Sequence, residues 1–191
     1  MTVWHWVRHG PTHEKAFVGW RDVPADLSDT AAIARLDAYL PQGALLVSSD
    51  LIRAVATADV LGQGRSRLPH VAGIREFNFG EWDGLRFDAI AAAHPDLSRR
   101  YWDEPGDVAP PGGESWNDVA ARVAEFVDRM NADHPKADIV AVAHIGVIMT
   151  QIQRAAGCSA YAALGHEIDN LSVTRLFHEG TWRVDTINHS P

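Results

Sequence analysis

Three short apolar runs, two of them followed directly by residues at helical spacing, limit what this chain can fold into. Val3 to Val7, Ala44 to Val47 and Ile139 to Ala143 are too short and too uniformly apolar for amphipathic helices, so they read as strands buried on both faces. Helical spacing follows the second and third: Leu51, Val55, Ala58 and Leu61 up to Gly62, and Ile145 to Ala156 up to Gly157. Strands alternating with helices build a mainly parallel sheet covered on both sides. The expected fold class is therefore α/β, a three-layer α/β/α sandwich. Leu171 to Phe177 and Trp182 to Ile187, joined at Glu179-Gly180, form a C-terminal hairpin on it.

The rest of the chain fits this frame. Asp29 to Leu40 carries Ile33, Leu36 and Leu40 at helical spacing. Phe87 to His94 and Leu97 to Trp102 read as short helices split by Pro95, and Leu68 to Ala72 as a short strand. Ser115 opens the longest helix, with Asp118 three residues on as a capping partner and Val119, Val123, Phe126, Val127 and Met130 on the buried face. Arg8 to Ser28 and Glu104 to Gly113 are loops, and the second is either a connector or a lid that sets specificity. No linker or internal repeat interrupts the 191 residues, so residues 1–191 are expected to form one domain.

Composition narrows the partners. The net charge of −8 leaves no surplus of Lys and Arg for nucleic-acid phosphates. No apolar run reaches the length of a bilayer span. One cysteine, Cys158, cannot form an internal disulfide, and the N-terminus lacks an apolar signal core. A soluble cytoplasmic protein is expected, free of membrane and nucleic acid, whose hairpin edge can pair a second copy into a homodimer.

In parallel sheets, ligands sit beyond the C-terminal ends of the strands. Here those ends deliver Arg8 and His9, Arg53 at the start of the following helix, and His144. In an acidic chain this gathering of basic groups is informative. Guanidinium groups match phosphate oxygens in pairs, and a histidine beside arginines favours its neutral, nucleophilic form. The chemistry expected is phosphoryl transfer without a metal or other cofactor, with Arg and His clamping the charge.

The same residues resemble the histidine phosphatase superfamily, the phosphoglycerate-mutase-like fold. Val7-Arg8-His9-Gly10-Pro11-Thr12 is similar to its signature, and Gly19 to Pro24 to the segment after it. Ser48 to Ala54 with Thr57-Ala58, Arg75 to Gly84, Pro111 to Ser115 and Ala143 to Gly146 follow in the family's order, so the resemblance runs from about Val3 to Asn188. It implies His9 as the phosphoryl acceptor, with Arg8, Arg53 and His144 on the equatorial oxygens. It implies Glu76 as the acid that protonates the leaving oxygen and then activates water. Gly10, Thr12, Lys15, Val18, Gly19, Ile145 and Gly146 would line the pocket. Ile145 stands where many members have Gly, Lys15 where many have Asn, and Pro11 where an acidic or polar residue is common. The Arg75 to Gly84 and Pro111 to Ser115 segments look like the broad-specificity and α-ribazole phosphatase branches.

The function this implies is hydrolysis of small phosphorylated metabolites through a phosphohistidine. Two alternatives remain open at this point: a mutase primed by a bisphosphorylated cofactor, though mutases of the superfamily are longer, and a non-catalytic phosphate-binding module. Of the other histidines, His13 is the one expected to touch substrate. Of the seven tryptophans, Trp20, Trp82 and Trp102 are expected near the leaving-group pocket.

Overall fold

The computed structural model describes Met1–Pro191 as a six-stranded sheet with helices on both faces. The strands are β1 (Thr2–Arg8), β2 (Leu45–Ser48), β3 (Ser66–Arg67), β4 (Asp138–Ala143), β5 (Val173–His178) and β6 (Trp182–His189), in the order β3-β2-β4-β1-β5-β6. The first four are mutually parallel; β5 runs antiparallel to β1, and β6 antiparallel to β5 as the hairpin. The helices are α1 (Thr30–Tyr39), α2 (Ile52–Val60), α3 (Phe87–Ala93), α4 (Pro95–Asp103), α5 (Trp116–Asp133), α6 (Ile145–Ala156) and α7 (Ala160–Leu164). None is long and apolar enough to cross a membrane.

Alternation along β1 splits its side chains between two cores. Trp4 and Trp6 stack on each other at 5.1 Å and pack with Val123, Phe126 and Ile148 beneath α5 and α6. Val7 turns the other way, joining Val140, Val142, Leu46 and Ala58 beneath α1 and α2. The strands at the centre are thus apolar on both faces, which is why they carry no polar alternation.

Helix ends follow local chemistry. Asp29 accepts the Ala32 N–H at the start of α1. Ser115 and Asp118 form the full reciprocal capping box of α5. Gly157, at φ 63°, closes α6 in the left-handed region. Pro95 starts α4 at its first turn, where a missing N–H costs nothing.

Two elements depart from expectation. The third strand is Ser66–Arg67, not Leu68 to Ala72: Leu68 N–H still reaches the Leu46 carbonyl (2.8 Å), but the next bond to β2 comes from Val71 N–H to Ser48 (2.9 Å), out of the two-residue step, and Ala72–Ile74 turns as a 3₁₀ helix. The short α7, capped by Ser159, falls where the sequence offers too few residues to show a period.

Register positions the site. Ser48 lies opposite Val142, and Arg8 opposite Ala143. The strands β2, β4 and β1 therefore end along one line. The ladder runs one step further through Ser49 N–H to the Val142 carbonyl (3.0 Å) and His9 N–H to the Ala143 carbonyl (3.1 Å).

Candidate active site

His9 and His144 occupy the first positions past β1 and β4, so the register alone sets them side by side, ring centroids 5.1 Å apart. His9 is 6% exposed. Its Nδ1 lies 2.7 Å from the Gly10 carbonyl oxygen. A carbonyl only accepts, so Nδ1 carries the proton and Nε2 keeps its lone pair. That lone pair faces Arg53 Nε at 3.2 Å. Burial, then the charges of Arg53 and Arg8, pull the His9 pKa down to about 3 against the opposing hydrogen bond to Gly10. The ring is neutral at physiological pH.

The loop that carries His9 is held from three sides. Thr57 Oγ1 accepts the Gly10 N–H (3.0 Å) and donates to the Arg53 carbonyl (2.7 Å). Asn170 Nδ2 donates to the His9 carbonyl (2.8 Å). Arg53 is fully buried in the first turn of α2 and donates to the carbonyls of Arg21 (3.0 Å) and Gly19 (2.7 Å). Asp83 in turn accepts the N–H groups of Gly19 and Arg21, both at 3.0 Å. A Cβ on Gly19 would sit 2.6 Å from the Phe77 carbonyl, so this close approach admits only glycine.

Several donors around His9 are left without protein partners. Arg8 donates through Nη1 to the Ile168 carbonyl (2.5 Å), but its Nε is buried and unpaired. His144 is fully buried, and neither ring nitrogen has a partner. Burial, then His9 and the surrounding arginines, hold its pKa well below the ordinary imidazole value. Buried polar groups are almost always satisfied, so a cluster of orphans beside a free lone pair marks a place built for a ligand.

Glu76 closes the group. It is 3% exposed; Oε1 accepts the Phe77 N–H (2.9 Å) and Oε2 the Gly146 N–H at the start of α6 (3.2 Å). Burial raises its pKa, and those two N–H bonds with Arg53 and Arg8 only partly oppose it. A Cβ at Gly146 would come within 2.5 Å of Oε1, so the contact requires glycine. Arg122, on α5, braces the acid's loop by donating to the carbonyls of Gly73, Arg75 and Glu76 and to the Glu114 carboxylate. The sequence reading assigned Arg122 no role; its only signal was an acidic partner eight residues earlier.

A cavity of about 320 Å³ opens over these groups. Arg8, His9, Thr12, Val18, Glu76, Ile145 and Gly146 line it. Arg53 and His144 lie beneath its floor, and Gly10 and Gly19 serve through their backbones. Lys15, which the resemblance places on the pocket, is exposed and is not part of the wall, although Glu14 and Ala16 on either side of it are. His13 also points elsewhere, pairing with Asp26 at 2.8 Å. Trp102 does line the cavity. Trp20 instead donates to the Glu76 carbonyl (2.8 Å) beneath Arg75, and Trp82 is buried against Ile90 and Tyr101. Pro105 and Val108 bring the Glu104 to Gly113 loop into the wall. Phe17, Phe77, Phe79, Tyr101 and Trp116, which the sequence reading did not place there, complete its aromatic side; the three phenylalanines lie in loops without a period, while Tyr101 and Trp116 come from α4 and α5. No three His, Cys, Asp or Glu side chains converge as a metal site would need.

Relatives carry the same architecture. A bifunctional protein of Mycobacterium tuberculosis is 31% identical over 176 residues, covering 91% of this chain and 46% of that protein. The chain thus spans about half the length of such relatives. Glucosyl-3-phosphoglycerate phosphatase of M. tuberculosis is 36% identical over 187 residues, covering 87% of this chain and 83% of that protein. The native structure of mycobacterial glucosyl-3-phosphoglycerate phosphatase superposes with a TM-score of 0.84 at 30% identity, over 99% of both chains. The α-ribazole phosphatase of Shigella flexneri shares the fold, with a TM-score of 0.85 at 20% identity over 98% of this chain and 96% of that one. The family model for the histidine phosphatase superfamily (branch 1) matches residues 5–190, and with the two histidines, two arginines and buried acid gathered at the ends of the parallel strands, the chain belongs to that superfamily.

Proposed function

We propose that this protein is a metal-independent phosphomonoesterase that hydrolyses small phosphorylated metabolites through a phosphohistidine on His9. The observation that carries this reading is the tautomer of His9: Nδ1 is committed to the Gly10 carbonyl, and Nε2 presents its lone pair among buried, unpaired donors. A phosphoryl group at that point satisfies Arg8 Nε and the His144 ring, and takes over the Arg53 Nε–H now spent on His9.

His9 Nε2 attacks phosphorus; the Nε2–P bond forms as the bond to the ester oxygen breaks. Glu76, its proton favoured by burial, gives that proton to the departing alkoxide. The carboxylate then takes a proton from water, whose oxygen attacks phosphorus; the new O–P bond forms as the Nε2–P bond breaks, and Nε2 regains its lone pair. The products are alcohol and inorganic phosphate. The two arginines stabilise the transition-state charge throughout, fixed in advance by backbone carbonyls, so that only the Arg53 Nε–H has to change partner.

The test is hydrolysis of p-nitrophenyl phosphate in EDTA by wild type and His9→Ala, with acid-labile, base-stable phosphate trapped on the protein. Turnover that survives the chelator, needs His9 and leaves phosphate on it supports the reading. Trapped phosphate that passes only to a second acceptor, with none released to water, would replace it with a mutase. Phosphate binding without turnover would replace it with a binding module.

A further inference from the structure

The half of the cavity that must hold the alcohol is made of different material from the half that holds the phosphoryl group. Phe17 lines it, stacked on Trp102 (centroids 5.8 Å, planes 18° apart) and tilted on Phe79 (5.0 Å). Val108 and Met149 extend this surface. An alcohol bound there leaves water for an apolar wall. Polyol hydroxyls would be desolvated with few partners, whereas a ring or hydrocarbon gains from the same contact.

Charge narrows the choice further. The basic side chains on the wall are Arg8 and His9, both committed to the phosphoryl group. The acid beyond Glu76 is Glu14, near the mouth, paired with Arg21 at 3.2 Å. Arg21 is itself also held by Asp83. Lys15 lies outside the wall. A carboxylate on the leaving alcohol would therefore find no uncommitted cation on the wall and would meet Glu14 instead.

We infer that the substrate is a phosphate monoester of an apolar, uncharged alcohol, an arylalkyl alcohol being the best fit, and that carboxylate-bearing esters are poor substrates. This inference rests on the phosphomonoesterase reading of the same site. The wall residues Trp102 and Phe17 are the specificity determinants, and Glu14 adds repulsion against anions.

Three alkyl monoesters with similar leaving oxygens separate the possibilities: 2-phenylethyl phosphate, glycerol 3-phosphate and 3-phosphoglycerate. Wild type is expected to hydrolyse the phenylethyl ester with a kcat/KM above that of the glycerol ester by about tenfold or more, the scale of burying one aromatic ring, and 3-phosphoglycerate least of all. Trp102→Ala should shrink the phenylethyl-to-glycerol ratio by about tenfold, chiefly through KM for the aromatic ester. Glu14→Gln should narrow the gap between 3-phosphoglycerate and the glycerol ester. Equal or inverted preference in wild type overturns the inference and leaves the phosphatase reading standing; the wild-type panel decides this even if a variant fails to fold. Hydrolysis of none of the three, together with no phosphate on His9, overturns the phosphatase reading and this inference with it.

Discussion

The floor and the wall of the cavity are built by opposite rules. The floor is polar, buried and fixed: Arg53 and His144 have no exposed surface, and His9 and Glu76 are 6% and 3% exposed. Each of its groups hangs from a strand end, a helix first turn or a braced loop, and backbone groups hold His9, Arg8, Arg53 and Glu76. The wall is apolar, and much of it comes from the less regular stretches between α2 and α5, with Phe17 from the loop after β1. The difference separates two tasks. Stabilising a dianion in flight requires dipoles placed beforehand, which only rigid elements supply. Choosing an alcohol requires a surface that can vary without moving the floor, which loops supply.

Substitutions in the floor should therefore injure every substrate, beginning with the largest effect. On the proposed mechanism His9→Ala removes the phosphoryl acceptor, and kcat for p-nitrophenyl phosphate is expected to fall by more than about 10⁴-fold, as when a nucleophile is deleted from a catalytic unit. Near-normal turnover in that variant would end the distinction between floor and wall at once.

Glu76→Gln discriminates by leaving group. An alkoxide needs the proton, so alkyl esters should lose roughly 10²- to 10⁴-fold in kcat/KM, which reports transfer to His9. p-Nitrophenolate leaves unaided and should lose far less in kcat/KM, while kcat falls for both esters because the same carboxylate activates water. The pH profile carries the same sign: Glu76 protonates the leaving oxygen while it holds its proton and its pKa is raised, so kcat/KM for an alkyl ester should fall on the alkaline side. His9, with its pKa near 3, imposes no acid limb above about pH 5. Equal losses of kcat/KM for both esters in Glu76→Gln would take the acid role away from this residue.

Arg53→Ala deletes a fixed donor while leaving nucleophile and acid in place. A loss of about 10²–10³ in kcat is expected for every ester alike, the cost of one preorganised oxyanion donor. A loss that depended on the alcohol would mean that floor and wall are coupled through the Gly19 and Arg21 carbonyls that Arg53 holds.

The floor also has a stability signature. His9 and His144 stay neutral when folded, because their pKa values are lowered, while in the unfolded chain each takes a proton below about pH 6.5. Over that range the unfolded state binds more protons, so stability falls as pH drops, by up to about 2 kcal/mol per histidine between pH 6.5 and 5. Thermal denaturation at pH 7 and pH 5 checks this: His144→Gln should flatten the dependence. Glu76, its pKa raised, acts in the opposite direction and costs stability as pH rises through its folded value.

Legibility in the sequence followed the same division. Strand and helix periods located the ends of β1, β2 and β4, so Arg8, His9, Arg53 and His144 could be placed together before any coordinates. Gly146 was legible as a pocket residue, but its contact with Glu76 depends on how close two backbones come, which no local pattern encodes. The aromatic wall was largely hidden, because Phe17, Phe79 and Val108 lie in segments without a period and meet only through the path of the loops. Trp20 and Trp82 show the converse: near the site in sequence, they brace its loop and a satellite core instead of facing the cavity.

The smallest effect belongs to Lys15, which charge alone made attractive. It is the nearest cation in sequence to the signature after Arg8, and a free ammonium at the mouth would draw in anionic esters from solution. Its side chain is exposed and forms no part of the wall. An exposed cation in water contributes little at contact distance and is screened further by salt. Lys15→Ala is therefore expected to leave kcat/KM for a neutral alkyl ester within about twofold at 0.15 M salt. Only a small drop should emerge at low ionic strength, from slower encounter with the phosphate dianion. Measured across a salt series, a loss that persisted at high salt would show Lys15 folding over the mouth onto bound substrate, and the boundary of the wall would then have to be drawn one residue wider.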